Sequence, residues 1–204
     1  MEYLSPVFKR CNLNLQPSNS ERIDISSAKE ILYPGAHIAT GDPYEYFHHG
    51  IVLDPNASDI SIIHFWGTNH MDSRVQITSL PIFIAGGIHL VGKKTRGLYL
   101  INYDGDTKEK QEETVKTAER LLEEVSDNTF DWNTSNCESY ACFCRTGKWG
   151  SQQTAAVFNT LSNNAKEINE ELKNFNEKNK KKLRSILNAY PTHPLSQFKN
   201  ALED

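Results

Sequence analysis

No stretch of about 18 apolar residues occurs in this chain, so no membrane-spanning helix is expected. The longest apolar run, Leu80 to Val91, is too short and is broken by Pro81, Gly86, Gly87 and His89. The opening residues, MEYLSPVFKRCNLN, lack the apolar core of a secretory signal, so secretion is not expected. There is no excess of basic residues. The formal net charge is -4, which argues against a nucleic-acid partner. Cysteine is scarce and clustered: Cys11 stands alone, and Cys137, Cys142 and Cys144 fall together. No second cluster answers them, so a disulfide framework is not expected and a reducing, cytoplasmic setting fits. Cys142 and Cys144 lack the two-residue gap of a zinc knuckle, and no metal or cofactor is expected.

What is present suits a globular domain. The 204 residues are 38% hydrophobic, enough for one core with an appendage. Residues 1–30 are polar and read as an arm or loop. Tyr33-Pro34-Gly35 signals a turn, and Ala36–Thr40 reads as a short strand. A hairpin follows: Phe47–Leu53, a turn over Asp54–Asp59, and Ile60–Phe65 returning. Further strands are expected at 75–77, 82–84, 88–91 and 97–101. The period then changes, and Val115, Ala118, Leu122 and Val125 share one helical face. A helix is expected over Cys137–Arg145, stopped by Gly147. From Ser151 to about Tyr190 the chain reads as helical, with Ile168, Leu172, Phe175, Leu183, Ile186 and Leu187 as an apolar stripe interrupted around Asn179.

The helix start at Cys137 carries the first chemical signal. Asn133-Thr134-Ser135-Asn136 precede it, and Ser135 or Asn136 can accept from the free N–H groups of the first turn. A cysteine there is favoured as thiolate by the helix dipole, so a lowered pKa is expected. The same N–H groups can hold an oxyanion on a substrate carbonyl. The plainer reading of Cys137 is a small buried hydrophobe, and Cys142 and Cys144 keep that reading.

A thiol nucleophile needs a base, and the base an orienting group. Symmetric pairing around the Asp54–Asp59 turn sets His48 opposite His64, Gly50 opposite Ile62 and Val52 opposite Ile60. Residues directly opposite project on one sheet face. His48 and His64 therefore stand side by side, and His49 points away. Cys137 as nucleophile, His48 as general base and acid, and His64 as orienting group make an ordered set. His37 is a further polar neighbour. His49, His70, His89 and His193 take the structural reading.

The segment Asn136-Cys137-Glu138-Ser139-Tyr140-Ala141-Cys142-Phe143-Cys144-Arg145-Thr146-Gly147 resembles the Asn-Cys-Glu-His-Phe…Cys-Arg-Tyr-Gly motif of the lecithin:retinol acyltransferase (LRAT) domain family. His48-His49-Gly50-Ile51-Val52-Leu53 resembles its His-Tyr-Gly-Ile-Tyr-Leu strand, Ile62-Ile63-His64 its second histidine motif, and Pro34-Gly35-Ala36-His37-Ile38 its entry strand. The resemblance covers about residues 31–150. It implies a permuted papain-like or NlpC-like domain, with residues 151–204 as a C-terminal helical extension. It implies Cys137 as acyl-accepting nucleophile, His48 as base and His64 as third member, and an acyl-lipid substrate. Ser139 stands where the family has histidine or aspartate, and His49 where it has an aromatic residue. Animal members often carry a C-terminal membrane span, whereas here a polar helix is expected. Looser, peripheral membrane contact through Leu80–Val91 or the basic block Lys178–Arg184 would replace it. Two core strands and a solvated helix face are the plainer readings of those segments.

The fold class expected is α+β: an antiparallel sheet of four to six strands with the Cys137 helix packed on it. The function expected is a thiol-dependent acyltransferase or acyl hydrolase with a thioester on Cys137. Alternatives are a Cys–His isopeptidase of the PPPDE type acting on a ubiquitin-like or peptide amide, and a binding module without catalysis.

Overall fold

The computed structural model of the chain describes residues 4–66, 73–86, 91–92, 95–124, 131 and 135–203. Expectations for His70, His89, Val125, Asn133 and Thr134, and for most of the 88–91 strand, lie outside these residues. The fold is α+β. Six strands form one antiparallel sheet: β1 (Ser20–Ile23), β2 (His37–Gly41), β3 (His48–Asp54), β4 (Ser61–Trp66), β5 (Arg74–Ser79) and β6 (Gly97–Ile101), in the order β1-β6-β2-β3-β4-β5. Among the described residues eight α-helices accompany it: α1 (Ser5–Arg10), α2 (Ala28–Ile31), α3 (Leu80–Ala85), α4 (Lys108–Glu124), α5 (Cys137–Thr146), α6 (Gln152–Asn163), α7 (Ala165–Lys173) and α8 (Glu177–Ala189).

Alternation along the strands sorts the core into two faces. On one face Ile38, Val52, Ile62, Leu98 and Leu100 pack with Leu80, Phe83 and Ile84 of α3. On the other face Ile51, Ile63, Phe65 and Val75 pack with Ala118 of α4 and Tyr140, Ala141 and Cys144 of α5. That second face also meets α1 and the C-terminal helices through Ala39, Phe47, Tyr99 and Ile101, against Val157, Leu161, Ile168, Leu172, Leu183 and Leu187.

Several expectations are corrected here. Residues 82–84 are helical, not a strand. Pro81 sits in the first turn of α3 and Gly86 closes it at φ 77°. Proline suits a helix start, where its missing N–H costs nothing, and glycine adopts the left-handed closing conformation freely. The first 30 residues are not a loose arm. β1 covers the edge of β6 from Ser20–Ile101 to Ile23–Leu98, and Val7 and Phe8 of α1 are buried. The C-terminal stretch is helical as expected, in three helices, α6, α7 and α8. Within its basic block Lys180 is buried beside Glu177 at 3.4 Å, so that block is not one continuous solvated face.

The β3–β4 register differs too. Ile51 opposes Ile63 and Val52 opposes Ile62, with an irregularity between Val52 and Asp54. This is two residues away from symmetric pairing. Side chains repeat every two residues, so a two-residue shift keeps His48 and His64 on one face.

Candidate active site

His48 and His64 meet. His48 Nε2 lies 2.6 Å from His64 Nδ1, and His64 Nε2 lies 2.7 Å from Thr78 Oγ1. Both rings flank Phe83, each with a centroid 5.2 Å from it. Gly50 makes the room: a Cβ there would stand 2.7 Å from Ile62 and 2.9 Å from Phe83. Burial drives the His64 pKa down to about 3, so this ring is neutral and one nitrogen accepts. Thr78 Oγ1 donates to the Ser79 carbonyl at 3.4 Å. A carbonyl only accepts, so with the Thr78 proton assigned to it one direction of the chain follows. Thr78 then receives His64 Nε2–H, His64 Nδ1 receives His48 Nε2–H, and the lone pair of His48 as a base lies at Nδ1. This tautomer is assigned from the network.

The sulfur approaches the same strand. Val52 N–H donates to the Ala36 carbonyl, and Gly35 N–H to the Val52 carbonyl. Even-numbered residues of β3 therefore turn their peptide groups to β2, and odd-numbered ones toward β4. β4 stays paired with β5 out to Trp66–Arg74, yet its ladder with β3 stops at Ile51–Ile63. Cys137 enters this opening. Its Sγ lies 3.9 Å from the Phe47 carbonyl oxygen and takes a hydrogen bond from the His49 N–H. The thiol thus rests against the residues on either side of His48.

The helix start is built as capping predicts. Asn136 is the N-cap; its side chain accepts from Ser139 N–H at 3.0 Å, and Ser139 Oγ accepts from Asn136 N–H at 2.8 Å. This capping box gives Ser139 a structural purpose. One expectation fails. The Cys137 pKa is not lowered but pushed up to about 11. Desolvation is the largest cause, and the neighbouring Glu138 charge adds to it; the N–H groups of His49, Glu138 and Cys137 pull the other way and lose. Cys137 is partly exposed as a residue, but its sulfur lies among apolar groups, where the charged form is disfavoured.

A second histidine pair occupies the α5 face. His37 Nε2 lies 2.9 Å from His49 Nδ1, and His37 Nδ1 lies 2.8 Å from Tyr103 OH. Arg145 stands over the Tyr103 ring at 4.6 Å and pairs with Asp106 at 2.7 Å. Both imidazoles are buried, and desolvation lowers both pKa values. A cavity of about 500 Å³ adjoins this pair, with Glu138 and Cys142 also on its wall.

Sequence reasoning missed Thr78 and Gln153. Thr78 alternates with Gln76 on β5, a signal legible only once the register is known. Gln153 lies two residues past the α6 N-cap Ser151, which pointed to a helix start and nothing more. Among the described residues no group of three or more His, Cys, Asp or Glu side chains could hold a metal ion. The chain matches no protein-family model, no curated protein and no solved structure.

Proposed function

We propose that the protein is a thiol-dependent acyltransferase or acyl hydrolase, with Cys137 as nucleophile, His48 as general base and acid, and His64 orienting His48. One observation carries the reading. His48 is held by a hydrogen-bond chain through His64 to Thr78, and in the direction that turns the Thr78 proton to the Ser79 carbonyl the His48 lone pair lies at Nδ1. The thiol rests on the backbone of the two residues that flank this histidine.

In this reading the resting thiol is protonated, and His48 Nδ1 takes its proton as sulfur attacks the acyl carbon. The S–C bond forms while the carbonyl π electrons move to oxygen. N–H groups of the helix start hold that oxyanion. The C–O bond to the leaving alcohol then breaks, and the alcohol leaves with the proton from His48. Water or an acceptor resolves the thioester by the same steps in reverse roles. A permuted papain-like, NlpC-like arrangement and the LRAT-like motifs around Cys137 and His48 belong to the same proposal.

An acyl lipid is the favoured substrate, met in a cytoplasmic setting with peripheral membrane contact. An apolar hollow of about 170 Å³ lined by Ile25, Leu80, Pro81, Ile84 and Val91 supports it. It lies beside α3, the helix that carries Phe83 against His48. Among the described residues no helix is long and apolar enough to cross a membrane, so the lipid would be met at the bilayer surface. The test is intact mass after incubation with vesicles of long-chain phosphatidylcholine. An acyl adduct on the Cys137 peptide, absent in C137A, is expected. Folded protein that stays adduct-free with lipid but forms an adduct with p-nitrophenyl butyrate rejects the lipid substrate. Failure with both rejects the thiol mechanism.

A further inference from the structure

We propose that Gln153 is a positioning residue for this thiol site, standing in for the strand that β3 lacks at its first residues. The inference rests on reading Cys137 and His48 as nucleophile and base. In an antiparallel sheet an odd-numbered residue at the start of β3 would exchange N–H and C=O bonds with β4. The ladder ends before that point. Instead the Gln153 side chain supplies both partners. Phe47 N–H donates to Gln153 Oε1 at 3.1 Å, and Gln153 Nε2 donates to the Phe47 carbonyl at 3.0 Å. A primary amide holds one donor and one acceptor side by side, as a peptide edge does. The next N–H, that of His49, is taken by the sulfur. Gln153 and Cys137 together fill the gap that β4 leaves.

Gln153 is also tied to the nucleophile helix. Its backbone N–H donates to Glu138 Oε2 at 3.1 Å, and Gln152 N–H donates to Glu138 Oε1 at 3.1 Å. Ser151 Oγ donates to the same carboxylate, and Asn136 Nδ2 donates to Thr154 Oγ1 at 3.2 Å. The first turn of α6 therefore grips Asn136 and Glu138 on one side and the residue before His48 on the other. Gln153 and Phe47 are both buried, so water does not replace the amide. This one side chain sets the distance between the strand that carries the base and the helix that carries the thiol.

The test is the rate of Cys137 alkylation by iodoacetamide from pH 5 to 10, read by peptide mass in the full chain. Wild type should show a neutral-pH component that depends on His48 and an alkaline limb that belongs to the thiol itself. Q153A should lose the neutral component by about tenfold or more, since small misplacements weaken proton transfer steeply, and should keep the alkaline limb. Q153E keeps the volume and the acceptor for Phe47 N–H but loses the donor as a carboxylate; the same selective loss is expected, and it is the variant read if Q153A melts too low. A folded variant whose profile overlays wild type overturns the proposal. So does an equal loss on both limbs with a lowered melting point, because that is a structural role. H48Q separates the two levels: if H48Q overlays wild type, the reading of His48 fails; if only the Gln153 variants do, the positioning inference alone fails.

Discussion

Two histidine pairs lie back to back on opposite faces of the sheet, contributed by consecutive residues of β3. His48 pairs with His64 at 2.6 Å and His49 with His37 at 2.9 Å. Their hydrogen bonds end differently. The His48 chain runs through Thr78 toward a carbonyl, and the sulfur rests on the backbone of the residues on either side of His48. The His49 chain runs to Tyr103, held under Arg145. A hydroxyl both donates and accepts, so this second chain has no fixed direction. In the proposed mechanism the two imidazoles, at similar distances, differ in role because of the group at the far end of each chain.

Both pairs also bear on stability. His64 has a folded pKa near 3, and His37 and His49 are also lowered, all by burial. Unfolding lets each return to an unperturbed value of about 6.5. Between the two values the unfolded chain binds the proton and the native chain does not. Stability is therefore full above about pH 6.5 and falls as pH drops, by up to about 1.4 kcal/mol per pH unit for each such histidine. Urea unfolding at steps between pH 7 and 4 should show this slope, flattened in H64Q. An unchanged slope in H64Q would mean that His64 is solvated.

A smaller effect tests the proton direction itself. T78V keeps the shape of the side chain but removes the acceptor for His64 Nε2–H. Acylation of Cys137 by p-nitrophenyl butyrate should slow about tenfold, with the affinity for ester unchanged, as expected for a group that acts only through the base. A rate within twofold of wild type would show that the chain does not set the His48 tautomer.

Much of the His48 side was legible in the sequence, because its rules are local. Strand alternation put His48 and His64 on one face despite a register two residues off, since the face survives an even shift. The polar residues before Cys137 marked a capped helix start, and Asn136 caps it. What was not legible depends on neighbours distant in the chain. The thiol was expected to be acidic from its helix position, but acidity also depends on what buries the sulfur, and that is set by packing of α5 on the sheet. The turn signals around Pro81 and Gly86 served a short helix as readily as a strand. Gln153 was invisible because its partner, Phe47, lies 106 positions away. The pairing of β1 with β6 was hidden for the same reason.

The most direct test of the account is the first-order rate of Cys137 acylation by p-nitrophenyl butyrate in H48Q set against H49Q. The account predicts a loss of about 10²-fold or more in H48Q, the usual scale for a removed general base. It predicts that H49Q, whose ring serves the second pair, stays within about threefold of wild type on that scale. Equal losses, or a larger loss in H49Q, would contradict it.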